Sequence, residues 1–183
     1  MAATLTVLGA GSILPRIGYG CAGYALRMEP DGPVTLLDCG PGTVRTLAPA
    51  GIALADVRRV VFSHYHIDHC LDVVALAFGR RNPAFEPAPL LELFGPVGLA
   101  KIVTGAPVAF GSWGKDPNVA VTEIAVDAEG RGGFEADGAT FTCVRTGHTA
   151  EAIAWRADLP SGVSVAYTGD TGENLAVAEL ARG

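Results

Sequence analysis

Six consecutive residues concentrate the metal-binding chemistry of this 183-residue chain: His64-Tyr65-His66-Ile67-Asp68-His69. Three imidazoles and a carboxylate suit zinc, manganese or iron, with zinc the default. Three of the chain's four histidines lie here; the fourth is His148, in Thr146-Gly147-His148-Thr149. The run follows Val60-Val61-Phe62, which reads as a short buried strand. Backbone that stays extended past Ser63 puts His64, His66 and Asp68 on one side, with Tyr65 and Ile67 on the other. His69 falls outside that alternation, so the spacing predicts two neighbouring binding points. A solvated histidine cluster or a tag is disfavoured, because a tag would be terminal and would not follow an apolar strand.

These residues need a scaffold, and the chain supplies strands in front of each of them. Strands are expected over 4–8, 24–28, 34–37, 60–62, 90–94, 119–126, 140–145, 153–157 and 163–167, from their β-branched and apolar content. Helices are expected over 43–48, 70–78, 95–103 and 174–181, the last with an Asn or Glu cap. Between them, 82–89 and 106–118 read as loops, and a glycine-rich turn separates the strands at 119–126 and 140–145. His148 and Asp170, in Thr168-Gly169-Asp170-Thr171, each follow a strand, as the six-residue run does. A site assembled at one rim of a sheet follows, within α/β layers around a mixed sheet.

Several residues have two readings. Asp38 ends an apolar strand before Gly40-Pro41-Gly42 and either accepts the second N–H of a ligand histidine or simply forms the turn. Cys70 has ligand chemistry, but its place in a helix favours a small core residue. Trp113 either contacts substrate or covers a local cluster. The pairs Arg58-Arg59 and Arg80-Arg81 bind an anion or are solvated surface charge, the second being favoured. Gly9 and Gly11 lack the third glycine and the following helix of a dinucleotide loop, so they read as a tight turn near the site.

Composition narrows the class. The length is that of one domain over 1–183, able to bury a core without disulfides. A net charge of −6 disfavours nonspecific nucleic-acid binding. No apolar run reaches the length of a membrane span, and the start, Met1 onward, has no basic region of a secretory leader. The four scattered cysteines form no disulfide framework, so a cytoplasmic location is expected.

Taken together, these motifs resemble the metallo-β-lactamase-fold hydrolases. His64 to His69 match that superfamily's His-x-His-x-Asp-His, His148 its next single histidine, and Asp170 its bridging aspartate. Residues 5–15, Leu37 to Thr43 and Phe94 to Leu99 are similar to the ribonuclease Z and arylsulfatase-like phosphodiesterase branch. The resemblance implies an αββα sandwich holding two zinc ions. His64, His66 and His148 would hold the first, Asp68 and His69 the second, with Asp170 bridging; Asp68 would also orient the nucleophile, a metal-bound hydroxide. The implied activity is phosphodiester hydrolysis. Sulfatase, lactonase or thioester hydrolase activity is the alternative on the same fold. An inactive metal-binding fragment, or a partner-dependent half, is the alternative of another class.

Two departures shape these expectations. Family members carry a further histidine beyond the bridging aspartate, and none follows Asp170 here. The resemblance therefore implies a domain lacking its last strands and helices, a weaker second site, and exposed apolar surface that favours a homo-oligomer such as a dimer. Only 21 residues separate His148 from Asp170, too few for the tRNA-binding arm of long-arm ribonuclease Z proteins. A small-molecule anionic ester is therefore the expected substrate, ahead of nucleic acid.

Overall fold

The computed structural model describes residues 3–182, leaving Met1, Ala2 and Gly183 outside, and with them the first residues read for a leader. Its strands are β1 Thr4–Gly9, β2 Gly23–Arg27, β3 Val34–Leu37, β4 Val57–Val61, β5 Leu91–Pro96, β6 Val119–Ile124, β7 Arg131–Ala136, β8 Ala139–Arg145, β9 Ile153–Asp158 and β10 Ser164–Tyr167. Its α-helices are α1 Thr43–Leu47, α2 Ile67–Cys70, α3 Asp72–Gly79, α4 Leu99–Phe110 and α5 Leu175–Leu180. The strands form a six-stranded sheet in the order β1-β2-β3-β4-β5-β6 and a four-stranded sheet in the order β10-β9-β8-β7. In the first sheet β1, β2 and β3 pair antiparallel, and β3 to β6 pair parallel. The second is antiparallel throughout.

Period-2 alternation sorts the first sheet's side chains into two cores. Leu26, Leu37, Val61 and Phe94 face the second sheet and pack with Phe141, Ile153 and Trp155. Their neighbours Ala25, Leu36, Val60 and Leu93 face outward, against Leu47 of α1, Leu76 of α3 and Leu99 of α4. Strands buried on both faces have no polar side to show, which is why their sequence is a continuous apolar run. On the far side, Val177 of α5 packs on Val144 and Ala154 of the second sheet. The layers are therefore helix, sheet, sheet, helix, the expected αββα arrangement.

Two local readings change, and a third is decided. The glycine-rich segment after β6 is the strand β7. Glycine is required there by close approach: a Cβ on Gly133 would lie 2.3 Å from the Phe141 carbonyl oxygen, and one on Gly132 2.9 Å from that of Ala125. Phe134, between these glycines and the turn, stacks at 3.8 Å on Phe94 and 4.6 Å on Phe141. Helix α4 runs past Ala106 to Phe110 with Pro107 inside it. A proline removes one helical hydrogen bond, but packing can carry the helix on, and Gly114 closes directly over the Ala106 carbonyl. Trp113 stands edge-on to Phe78 at 5.9 Å with the Arg81 guanidinium 5.4 Å from its ring, a local surface cluster.

The arginine pairs are not simply solvated. Arg58 is exposed, but Arg59 is 4% exposed and pairs with Glu92 and Asp137. Arg80 is 2% exposed, and its Nε donates to Asp116 Oδ2 at 2.7 Å. Removing one partner of such a pair leaves a buried charge uncompensated. Asp116→Ala is therefore expected to cost about 3 kcal/mol in urea denaturation, while Arg58→Ala stays within about 0.5 kcal/mol of wild type.

Candidate metal centre

The His64–His69 segment is shaped by where β4 stops. The Phe62 amide still donates to the Phe94 carbonyl, the chain bends at Ser63, and His66 is extended where α2 begins at Ile67. The expected alternation holds for His64 and His66 and fails at Asp68. There the backbone has already turned helical, and Asp68 lies in the first turn of α2. The second sheet is tied to the same place: the Ile153 amide donates to the Ser63 carbonyl, and Trp155 Nε1 donates to the Phe62 carbonyl at 2.8 Å. Two glycines let neighbouring loops close in. A Cβ on Gly40 would lie 1.9 Å from the Asp68 carbonyl oxygen, and one on Gly169 2.6 Å from Ser63 Cβ.

One carboxylate lies beneath the cluster. Asp38 is fully buried, and its φ of 57° turns the chain at the end of β3. Its Oδ1 accepts the Ser63 amide at 2.7 Å. Its Oδ2 faces Ser63 Oγ at 2.7 Å, Tyr167 Oη at 2.6 Å and His69 Nδ1 at 2.6 Å. Of its two readings, that of histidine partner has the hydrogen bond. The sequence reading missed Ser63 and Tyr167. Each is the polar residue where a strand meets the rim, but only the packing of the two sheets, with Tyr167 against Tyr24 of β2 at 5.2 Å, brings Tyr167 to Asp38.

Above this layer the ligand-type atoms converge. One ligand-type atom from each of His64, His66, His148 and Asp170 falls within 4.8 Å of all the others. His148 Nε2 lies 3.1 Å from His66 Nδ1 and 3.5 Å from Asp170 Oδ2. Ligand atoms on a tetrahedral ion bound at 2.0–2.1 Å would be separated by about 3.3 Å. The donor set therefore fits a zinc-like cation. His64 Nε2, buried and without a hydrogen-bond partner among the described residues, fits one too, since an unpaired buried polar atom is costly. The other carboxylate oxygen of the same aspartate, Asp170 Oδ1, lies 3.3 Å from His69 Nε2. The two oxygens of Asp170 thus face His148 and His69 separately.

Asp38, His64 and His69 also group within 4.8 Å, but the oxygens of Asp38 are already committed to four hydrogen bonds from Ser63, His69 and Tyr167. Asp68 joins neither group. It lines a cavity of about 480 Å³ together with His69, Asp170, Tyr167, Gly11 and Ser12. Gly11 and Ser12 belong to the glycine-rich turn after β1, so that turn does lie beside the site. Cys70 is buried in the core, its thiol directed at the Tyr65 carbonyl.

Electrostatics separate the imidazoles. Burial, helped by the neighbouring His69, lowers the His64 pKa to about 4, so this ring is neutral at pH 7. Burial also opposes charge on His69, but the hydrogen bond and charge of Asp38, with Asp170 and Asp68, outweigh it and leave His69 raised. Burial, then the charge of Asp38, pushes the Tyr167 phenol up, so it is a donor at neutral pH. The loop carrying His148 is fastened by Asn174, whose Nδ2 donates to the Thr146 carbonyl while its Oδ1 caps α5 through the Ala176 and Val177 amides.

Comparison with known proteins gives the family and the fold. The family model of the metallo-beta-lactamase superfamily matches residues 18–182. The chain is 29% identical to ribonuclease Z of Mycobacterium marinum (strain ATCC BAA-535 / M), covering 98% of this chain and 67% of that protein. It is 31% identical to ribonuclease Z of Mycobacterium sp. (strain KMS), covering 98% and 65%. Among solved structures, the metallo-beta-lactamase fold protein YhfI from Bacillus subtilis superposes with a TM-score of 0.77 at 20% identity, over 95% of this chain and 65% of that one. Human tRNase Z, short form, gives 0.78 at 21% identity, over 92% and 69%. Each of these relatives and structures is matched over about two thirds of its length.

The hydrogen bond from Tyr167 to Asp38 is part-buried and charge-assisted. Tyr167→Phe is expected to lower stability by about 2 kcal/mol, read from denaturant midpoints. A change below about 0.5 kcal/mol would mean that the carboxylate is satisfied without the phenol.

Proposed function

The chain belongs to the metallo-beta-lactamase superfamily, and from that premise we propose that it is a zinc-dependent hydrolase of phosphodiesters. The observation that carries this reading is the placement of Asp170, whose two carboxylate oxygens face His148 and His69 separately. A carboxylate so placed suits a site for two cations. In this reading His64, His66 and His148 hold the first ion, Asp68 and His69 serve the second, and Asp170 lies between them. Zinc is the default, with manganese or iron as the other ions these donors accept. Bound divalent ions supply Lewis acidity and bring the pKa of a coordinated water towards neutrality.

The protein's own groups do the rest. His64 is held neutral, so one of its ring nitrogens offers a lone pair without loss of a proton. Asp68 sits on the wall of the 480 Å³ cavity, where it orients the attacking water and accepts a proton from it. That volume is suited to a small ligand. The 21 residues between His148 and Asp170 are occupied by β9, β10 and their connections, with no projecting arm. Together with the net charge of −6, this favours a small anionic phosphodiester. Relatives named ribonuclease Z favour a second reading, in which the phosphodiester belongs to RNA. No helix among the described residues is long and apolar enough to cross a membrane.

The test is metal content followed by turnover. Protein dialysed against zinc is expected to retain two ions per chain and to cleave a chromogenic phosphodiester such as bis(p-nitrophenyl) phosphate. Chelation should abolish turnover and zinc should restore it. His66→Ala and Asp68→Ala should each reduce turnover by on the order of 100-fold or more. A single ion per chain without turnover would favour the inactive or partner-dependent form. Cleavage of chromogenic sulfates or lactones with no phosphodiester activity would move the assignment to another bond. Cleavage of a tRNA precursor in preference to the small ester would favour the RNA reading.

A further inference from the structure

The hydrogen bonds under the cluster have directions, and the directions follow from chemistry. The carboxylate of Asp38 has no proton to give, so each close contact to it needs a donor. Ser63 Oγ, 2.7 Å from Asp38 Oδ2, must direct its single proton there. Its oxygen is then left as an acceptor towards its other contact, His64 Nδ1 at 3.0 Å. His64 Nδ1 therefore carries the proton, and the lone pair stands on Nε2, the buried atom that faces the cluster. His69 is set the same way with no intermediary: Nδ1–H donates to Asp38 Oδ2 at 2.6 Å, and Nε2 is directed at Asp170.

We infer that Ser63 is a positioning residue that relays the charge of Asp38 to His64, so that one buried carboxylate sets the tautomers of His64 and His69 together. The two imidazoles belong to different points of the centre, and Asp38 couples those points through one side chain. This inference rests on the metal-centre reading only for its consequence, because the tautomers exist without the ion. The geometry assigns unequal reach to the two residues. Losing the serine hydroxyl frees His64 alone. Losing the charge of Asp38 frees both rings.

The local structure makes both variants usable. Ser63→Ala keeps the backbone amide that donates to Asp38 Oδ1. Asp38→Asn keeps a residue type that tolerates the φ of 57° at this position.

The experiment is nitrogen-15 NMR of histidine-labelled protein without metal at pH 8, followed by zinc titration against a competing chelator. Wild type should show proton-bearing Nδ1 and bare Nε2 on His64, and proton-bearing Nδ1 on His69. In Ser63→Ala only His64 should move towards the Nε2–H tautomer, and zinc affinity should fall about 10–100-fold, the range for loss of an outer hydrogen-bond partner. In Asp38→Asn both rings should move. A wild-type His64 with its proton on Nε2, or a His64 tautomer unchanged in Ser63→Ala, would overturn the relay. Tautomers as stated in a protein that binds no zinc would uphold the relay and reject the metallohydrolase reading, so the two fail separately.

Discussion

A carboxylate with no exposed surface must find all its hydrogen bonds inside the protein, and Asp38 finds them in three other parts of the chain. Ser63 lies just past β4, His69 in α2 and Tyr167 at the end of β10. Hydrogen bonds to a charged group contribute on the order of 1.5–3 kcal/mol each, and stripping such a group of its partners costs more. The arrangement is therefore cooperative. The first sheet supplies the carboxylate, the second sheet supplies the phenol, and the segment carrying the imidazoles is held between them. The rim on which the metal-type ligands converge cannot form unless both sheets are in place.

The backbone around that rim is packed as tightly as the side chains. Gly40 and Gly169 sit where a single methyl group would overlap the Asp68 carbonyl or the Ser63 side chain. These close approaches bring the chain after β3 under α2, and the chain after β10 over Ser63, which delivers Asp170 to its place between His148 and His69. Other carboxylates act as fasteners further out. Asp72 accepts the Gly42 and Val44 amides and ties the start of α1 to α3. Glu123 accepts the Gly98 and Ala100 amides at the start of α4.

Much of the architecture is legible from periodicity, because burial on one or both faces writes itself directly into a strand. The run 34–37, the run that ends β4 at Val60-Val61, and the pattern at 140–145 are strands for that reason. The failures have physical causes of their own. β7 contains two glycines because its neighbours approach too closely for a Cβ, and composition alone makes such a segment resemble a turn. α4 continues through Pro107 to Phe110, against the local preference that a proline carries. Arg59 and Arg80 are buried because acids distant in sequence meet them: Glu92 and Asp137 for one, Asp116 for the other.

The candidate site divides in the same way. Residue types and spacing in the sequence were sufficient to name His64, His66, His69, His148 and Asp170 as ligand candidates, because few other roles suit so many imidazoles at the ends of strands. They were sufficient also for the αββα layering, through the resemblance their motifs carry. Tertiary structure alone decided which atoms face one another. It set Asp68 apart in the first turn of α2, turned the two oxygens of Asp170 towards different histidines, and brought Tyr167 to Asp38 across 129 positions of sequence. The reason is that alternation and helical period fix a side chain's direction relative to its own element only. Meeting a partner depends on how two sheets are registered against each other, and that is a property of the packed core.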